Sequence, residues 1–469
     1  MKLAAAAAVL IATALTQTQA PAAPSAGVDA VFARWTAATP GCAVGVGVNG
    51  TSVLERAYGM ADLEHDVPNT PDTIFEAGSV SKQFTAAAVL LLARDGKLSV
   101  DDPVRKYIPE LPDYGVPLTI RHMLTHTSGL RDWGAVAGIA GWPRTTRAHT
   151  HGHVLDIVSR QKALNFTPGT AWSYSNTGYN LAAIIVSRVS GKPFADFSRE
   201  RIFAPLGMTR TSWRDDFTRV VKHRAIAYDS QADGYHQDMP FENVFGNGGL
   251  LTTVGDLLRW NENFVVPKVG DAAFLAEEQT PGRFNDGKAH DYAFGLYVRP
   301  YRGVDEVSHS GSTAGYRAFL TRYPRQHVSV AVLCNAGNAN ATQHAHAVAD
   351  AYLGAALSPA PAAEGAAAAG RGGAAGAAAF RPADADMAGY PGRYTSDEAE
   401  TVFTIAADGA DLVLKRRPDT VLRMRPVSRD EFAVPGLGTV IFRRSAEGRV
   451  TELSVKLDRV WDLRFQRER

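Results

Sequence analysis

The sequence predicts an α+β protein in which a long helical insert interrupts an antiparallel sheet, followed by a separate small β-domain. Three observations carry this. Apolar, β-rich runs occur early (42–48 and 52–58) and again late (between 292 and 333). Between them, from Ser79 to about Phe264, helical segments dominate, with apolar residues at helical spacing. After a stretch made almost entirely of Ala, Gly and Pro (357–379), short runs of alternating apolar and polar residues return. Strands, helices, strands and a last helix is the order of helices packed on an antiparallel sheet.

Taken in order, the first residues stand apart from the fold. Met1-Lys2 is a short positive start, residues 3–15 are mostly apolar, and small residues follow. This predicts a secretory signal peptide over 1–22, with cleavage after Ala20 or Ala22, an uncleaved anchor being the competing reading. The protein is therefore expected to be exported, to the periplasm or the extracellular space. No later segment reads as a transmembrane helix, so no stable membrane span is expected after cleavage. The 469 residues carry 49 Lys and Arg against 48 Asp and Glu, so no basic surface points to nucleic acid.

Residues 28–38 read as a short helix. The runs 42–48 and 52–58 flank Asn49-Gly50, a strong hairpin signal. Residues 80–94 form an apolar helical pattern closed by Gly96. A second such pattern, 178–189, is closed by Gly191-Lys192-Pro193, and Thr253 to Asp256 resembles a capping box. Strands are expected at 292–298, 304–309, 316–323 and 328–333, and a last helix at 340–353. The main domain is thus placed at 27–355 and an Ala/Gly/Pro-rich linker at 356–383. The remainder, 384–469, reads as an all-β barrel or half-barrel.

Three short motifs point to chemistry. Ser79-Val80-Ser81-Lys82 lies where a loop feeds the helix of 80–94, and positions i and i+3 share a helix face. Lys82 would sit under the Ser79 hydroxyl, where burial lowers its pKa enough for it to act as a base. Tyr174-Ser175-Asn176 offers a phenol that can relay a proton and an amide that can hold a substrate amide. His309-Ser310-Gly311, followed by Ser312, ends a strand. Its Gly admits a substrate backbone, and His309 could bind a carboxylate or polarise the site with a charge that varies near neutral pH. Alone, each motif also has a structural reading: a common tetrapeptide, an aromatic plug, a polar strand end.

Together and in this order, the motifs resemble the penicillin-recognising serine hydrolases: class C β-lactamases, low-molecular-mass penicillin-binding proteins, D-aminopeptidases and related esterases. Phe75 to Ser79, Leu124-Thr125-His126-Thr127-Ser128-Gly129-Leu130 and Gly248-Gly249-Leu250 agree, and the resemblance covers roughly residues 27 to 355. It implies a β-lactamase/transpeptidase-like sheet flanked by helices and acylation of Ser79. Lys82 and Tyr174 would share acid and base duty, including activation of the deacylating water. Asn176, His309, Ser310 and Gly311 would contact substrate, and the backbone N–H groups of Ser79 and Ser312 would form the oxyanion hole. The expected partner is a small peptide, ester or β-lactam, with no cofactor and no metal. Where β-lactamases carry Lys-Thr-Gly this chain has His309-Ser310-Gly311, which looks more like D-aminopeptidases and puts efficient β-lactam turnover in doubt.

In this family the first and last strands of the sheet are antiparallel neighbours, which would bring Cys42 and Cys334 into reach of a disulfide. The tail resembles the β-rich C-terminal modules of many of these hydrolases, and Tyr390-Pro391-Gly392-Arg393-Tyr394 fits that pattern. His149, His151 and His153 alternate, their surroundings (144–152) read as a loop, and they are set aside as metal ligands. His126 is expected to be a structural hydrogen-bonding residue.

Overall fold

The structure, a computed structural model, describes residues 25–144, 146–359 and 380–469. The segment expected to be a signal peptide and most of the expected linker lie outside the described residues.

A six-stranded antiparallel sheet organises the main domain. It is built from β1 (Cys42–Val48), β2 (Thr51–Tyr58), β3 (Tyr297–Tyr301), β4 (Val304–Thr313), β5 (Tyr316–Tyr323) and β6 (Val328–Cys334). The spatial order is β3-β4-β5-β6-β1-β2. The β1–β2 hairpin turns at Asn49 and Gly50, which both take positive φ, as a two-residue turn matched to strand twist requires. Strands β1 and β6 pair with Cys42 opposite Cys334, and a disulfide joins the two.

Side-chain alternation in β1 sends neighbours to different cores. Val44 and Val46 pack with α1 (Ser25–Phe32) and a C-terminal helix, Ala341–Leu353, on one face; Ala43 faces the large helical core. On that second face the chain uses glycine. A Cβ at Gly45 would stand 3.0 Å from Leu258 Cδ1 and 3.2 Å from Val254 Cβ, so the Gly-x-Gly alternation lets helix Val254–Glu262 lie close against the strand.

Helix α2 (Ser81–Arg94) runs through the centre of the helical layer, buried from Ser81 to Leu92. Its all-round apolar and small residues (Phe84, Ala86 to Ala88, Val89 to Leu92) suit a helix covered on every side. It packs against α3 (Asn176–Ser190), which ends at Gly191 with φ +70.

The C-terminal strands form a closed barrel of eight, so the sheet-bearing domain carries a true barrel rather than a half-barrel. The strands are β7 (Gly392–Ser396), β8 (Thr401–Asp408), β9 (Asp411–Arg416), β10 (Thr420–Ser428), β11 (Glu431–Val434), β12 (Gly438–Arg444), β13 (Val450–Leu457) and β14 (Val460–Arg467). Neighbours in sequence pair antiparallel, and β14 closes on β7 through Tyr394 opposite Arg467. Inward residues such as Tyr394, Phe403, Leu414, Phe442 and Phe465 form an apolar core. Val136 and Ile139 of the main domain pack into the same cluster, which joins the two domains through apolar contact.

Three expectations are corrected. The first helix ends at Phe32, so residues 33–38 are not helical. Residues 292–296 are not strand: Gly295 takes φ +77 and sits so close to α2 that a Cβ would fall 2.5 Å from Gln83 N. The chain bends there to pass over the start of α2. Residues within 144–152 are not all loop, because a helix begins at His151 (His151–Ser159), capped by Thr150. Its capping box uses His153 where Glu or Gln is usual, which hid the helix start.

Candidate active site

Ser79 lies on a single 3-10 turn, Gly78–Val80, that feeds directly into α2. One turn further on, Lys82 reaches back. Its Nζ donates to Ser79 Oγ (3.0 Å), Asn176 Oδ1 (2.9 Å) and the Asn247 carbonyl (2.7 Å). Lys82 is completely buried. Burial, with a smaller contribution from the Arg459 guanidinium, holds its pKa well below the usual lysine value.

Tyr174 precedes α3, and its hydroxyl interacts with Ser79. Lys82 Nζ is 4.8 Å from the ring centroid. Burial raises the phenol pKa, so Tyr174 stays protonated at neutral pH. Its position is fixed from behind by His126. Ser173 N–H donates to the His126 carbonyl (3.0 Å) and Ser175 N–H to His126 Nδ1 (3.2 Å). The His126 and Tyr174 rings lie 4.3 Å apart.

Asn176 stands at the start of α3 with both ends of its amide engaged. Oδ1 accepts from Lys82, while Nδ2 and the backbone N–H donate to Asp132 Oδ2 at 2.9 and 2.8 Å. Asp132 in turn caps the helix Trp133–Ile139 by accepting from Ala135 N–H (3.0 Å). A line of hydrogen bonds therefore runs from a helix cap through Asn176 and Lys82 to the Ser79 hydroxyl.

Strand β4 closes the other side. A Cβ on Gly311 would fall 2.0 Å from the Ala77 carbonyl oxygen, and one on Gly78 would fall 2.6 Å from Ser312 N. The two segments bearing the Ser79 and Ser312 N–H groups thus abut with no room for a side chain at either glycine. Ser310 and Ser312 are exposed. His309 differs from the expected titrating cation. Its Nε2 pairs with the Tyr292 hydroxyl (3.0 Å) and its Nδ1 with the Ser310 carbonyl (2.6 Å), which assigns the Nδ1–H tautomer. Burial, then the nearby Lys82, lowers its pKa to about 3 and keeps it neutral.

The sequence motifs therefore meet in one place: Ser79, Lys82, Tyr174, Asn176, His309 to Gly311 and Ser312. Asp132, Asn247, Tyr292 and Arg459 were not foreseen. Asp132 had a usable signal, an N-cap acid ahead of Trp133-Gly134-Ala135-Val136; the others reach the site from loops with no distinctive pattern. The three alternating histidines do not converge. His149 contacts the Trp142 carbonyl, His151 the Phe245 backbone and His153 Thr150.

Arg459 comes from the barrel. It sits at the tip of the β13–β14 hairpin with its guanidinium 4.8 Å from the Tyr174 ring centroid.

The profile of the family described as Beta-lactamase matches residues 28–355. Against penicillin-binding protein 4* of Bacillus subtilis the chain is 32% identical over 294 residues, 58% of this chain and 63% of that protein. Against a D-aminopeptidase of Cereibacter sphaeroides it is 30% identical over 322 residues, 68% of this chain and 60% of that protein. The chain thus matches about three-fifths of the length of these curated relatives. An octameric penicillin-binding protein homologue from Pyrococcus abyssi shares the fold with TM-score 0.62 at 23% identity, over 94% of this chain and 98% of that one. A family match that runs unbroken from the first helix through the whole sheet-bearing domain makes this chain a member of the β-lactamase family.

Proposed function

We propose that the protein is an exported serine hydrolase that cleaves an amide or ester bond through an acyl-enzyme on Ser79, with small peptides containing D-residues as its favoured substrates. The observation that carries the chemistry is the fully buried Lys82 amine held 3.0 Å from Ser79 Oγ. As a neutral amine, Lys82 has two N–H groups, which suit Asn176 Oδ1 and the Asn247 carbonyl; its lone pair then faces the Ser79 hydroxyl.

Lys82 takes the Ser79 proton as Oγ attacks the carbonyl carbon. Negative charge gathers on the carbonyl oxygen, opposite the backbone N–H groups of Ser79 and Ser312, where each such donor is worth about a hundredfold in rate. Tyr174, kept as a phenol by burial, gives its proton to the leaving group, and the Lys82 ammonium restores that proton. Water repeats the sequence on the acyl-enzyme.

The substrate class is supported by the relatives named D-aminopeptidase and penicillin-binding protein. Export is supported by the charged start and apolar run of residues 1–22. The test is labelling of the purified mature protein with a fluorophosphonate and a fluorescent penicillin, beside Ser79→Ala. Phosphonylation that depends on Ser79 is the expected result. Lasting penicillin labelling marks a D-Ala-D-Ala-like substrate, and rapid loss of that label marks a β-lactamase. Phosphonylation without any penicillin labelling marks an aminopeptidase or an esterase. No labelling of a folded protein would mean a binding or regulatory protein on a silent scaffold.

A further inference from the structure

The hairpin tip formed by Asp458 and Arg459 is the part of the barrel that enters the active site, and the main domain grips its backbone. Asn165 Nδ2 donates to the Arg459 carbonyl (3.0 Å), and Asn165 Oδ1 accepts from Trp461 N–H (3.0 Å). Asp132 N–H donates to the Arg459 carbonyl (3.3 Å) and Ser173 Oγ to the Asp458 carbonyl (3.3 Å). The Trp461 ring packs on Phe166 at 4.9 Å. The turn is therefore fixed to both loops that flank the catalytic residues, those of Asp132 and of Tyr174.

The side chain it delivers is not used up by the fold. The guanidinium lies over Tyr174, and Arg459 Nη1 is 3.8 Å from Asp132 Oδ2, beyond hydrogen-bond reach. Asp132 is already satisfied by Asn176 and Ala135. Among the described hydrogen bonds none uses an Arg459 side-chain nitrogen, and 44% of that side chain is open to solvent. Five donors in a planar fork are thus held at the mouth of the site without an acceptor. The Asp132 carboxylate is the ion-pair neighbour of this cation at 3.8 Å, but its oxygens accept from Asn176 and Ala135 and leave the guanidinium donors open. Tyr297, at the same mouth, lies in the field of Asp291 and, more weakly, of Arg299 and Arg459. His309 is neutral and Lys82 is buried behind Ser79.

We propose that Arg459 receives a carboxylate carried by the leaving group, so that the enzyme favours substrates whose released product bears a free carboxylate. This rests on the acyl-enzyme reading of Ser79. The leaving-group side follows from Tyr174, which lies beside the guanidinium and protonates the departing atom. A carboxylate is the group that a planar guanidinium fork binds through two parallel hydrogen bonds.

The test compares two esters with one N-acyl-D-alanyl group and different leaving alcohols, D-lactate with its free carboxylate or D-lactate methyl ester. The readout is the ratio of kcat/KM for the two, in wild type, Arg459→Ala and Arg459→Lys. A ratio cancels any effect of Arg459 on Lys82 or on folding, because both esters share it. Wild type is expected to prefer the free acid by roughly 10- to 100-fold, the worth of a hydrogen bond to a charged group. Arg459→Ala should bring the ratio close to one, and Arg459→Lys should keep part of it. A wild-type ratio at or below one, a ratio unchanged in Arg459→Ala, or no hydrolysis of the free-acid ester overturns the proposal. Phosphonylation of the same preparations separates the two readings. A wild type that is not labelled at Ser79 refutes the hydrolase itself, whereas a labelled one without carboxylate preference refutes only the role of Arg459.

Discussion

Lys82 must lose a proton before it can take one from Ser79, so its pKa sets the acid limb of the reaction. Burial lowers that pKa and Arg459 lowers it further. The rate of Ser79 phosphonylation should rise with pH as Lys82 deprotonates. In Arg459→Ala one cause of the depression is gone, the Lys82 pKa moves up, and the acid limb should shift to higher pH. A limb that stays in place or moves to lower pH would show that Arg459 does not act on Lys82. Gly311 makes a steric prediction. Gly311→Ala would drive a methyl group into the Ala77 carbonyl and push β4 off the Ser79 turn. Phosphonylation should slow by about a hundredfold, as for loss of an oxyanion donor, in a protein that still folds. An undiminished rate would show that Ser312 N–H is not part of the hole. The residues that short motifs made legible are those within one helical turn or one strand end of each other, such as Ser79 with Lys82. Asn247 and Arg459 arrive from 165 and 377 residues beyond Lys82, and nothing local marks a loop asparagine or a turn arginine as a neighbour of that amine.

At the scale of elements, the legible features were those with a strict local cause. Asn49-Gly50 announced the β1–β2 hairpin because both residues accept positive φ. The 81–94 helix was legible from its period, although its burial on all sides left no polar face to orient it. The bend at 292–296 was missed because its apolar residues read as strand, while its cause, the close approach of Gly295 to α2, is tertiary. The link between β1 and β6 can be tested. These strands lie 292 residues apart in sequence yet pair with Cys42 opposite Cys334, so their disulfide closes a loop that takes in the whole helical insert. Thiol titration of the unfolded, unreduced protein should find no free thiol, and two reactive thiols would refute the bond. The double variant Cys42→Ala/Cys334→Ala should lose about 2–4 kcal/mol of stability in urea unfolding, and reduced wild type should lose a similar amount.

At the scale of the molecule, the barrel and the main domain are one cooperative unit if their contact is as tight as its chemistry indicates. Arg131 and Glu398 form an ion pair across the boundary, with side chains 2% and 8% exposed. Arg131 also donates to the Ala163 carbonyl (2.7 Å) in its own domain and to the Asp462 carbonyl (2.7 Å) in the barrel. Burial, only partly offset by Arg131, raises the Glu398 pKa, so the pair has a substantial desolvation cost. Its loss is therefore expected to be asymmetric. Glu398→Leu leaves a buried guanidinium without its counter-charge and should destabilise by about 3–5 kcal/mol. Arg131→Met/Glu398→Leu removes both charges, so the double variant should be more stable than Glu398→Leu alone, its main debt being the lost Arg131 bond to Asp462. Urea unfolding followed by tryptophan fluorescence and by far-ultraviolet dichroism reads the coupling. Wild type should give one coincident transition, and Glu398→Leu should separate the two signals as the barrel detaches first. Because residue 131 adjoins Asp132, which grips both Asn176 and the Arg459 carbonyl, the same variant should also lower the carboxylate preference measured on the lactate esters. A Glu398→Leu protein that unfolds in one transition and keeps that preference would mean the barrel is held by its other contacts, the apolar ones with Val136 and Ile139 and the hydrogen bonds to the 458–461 turn.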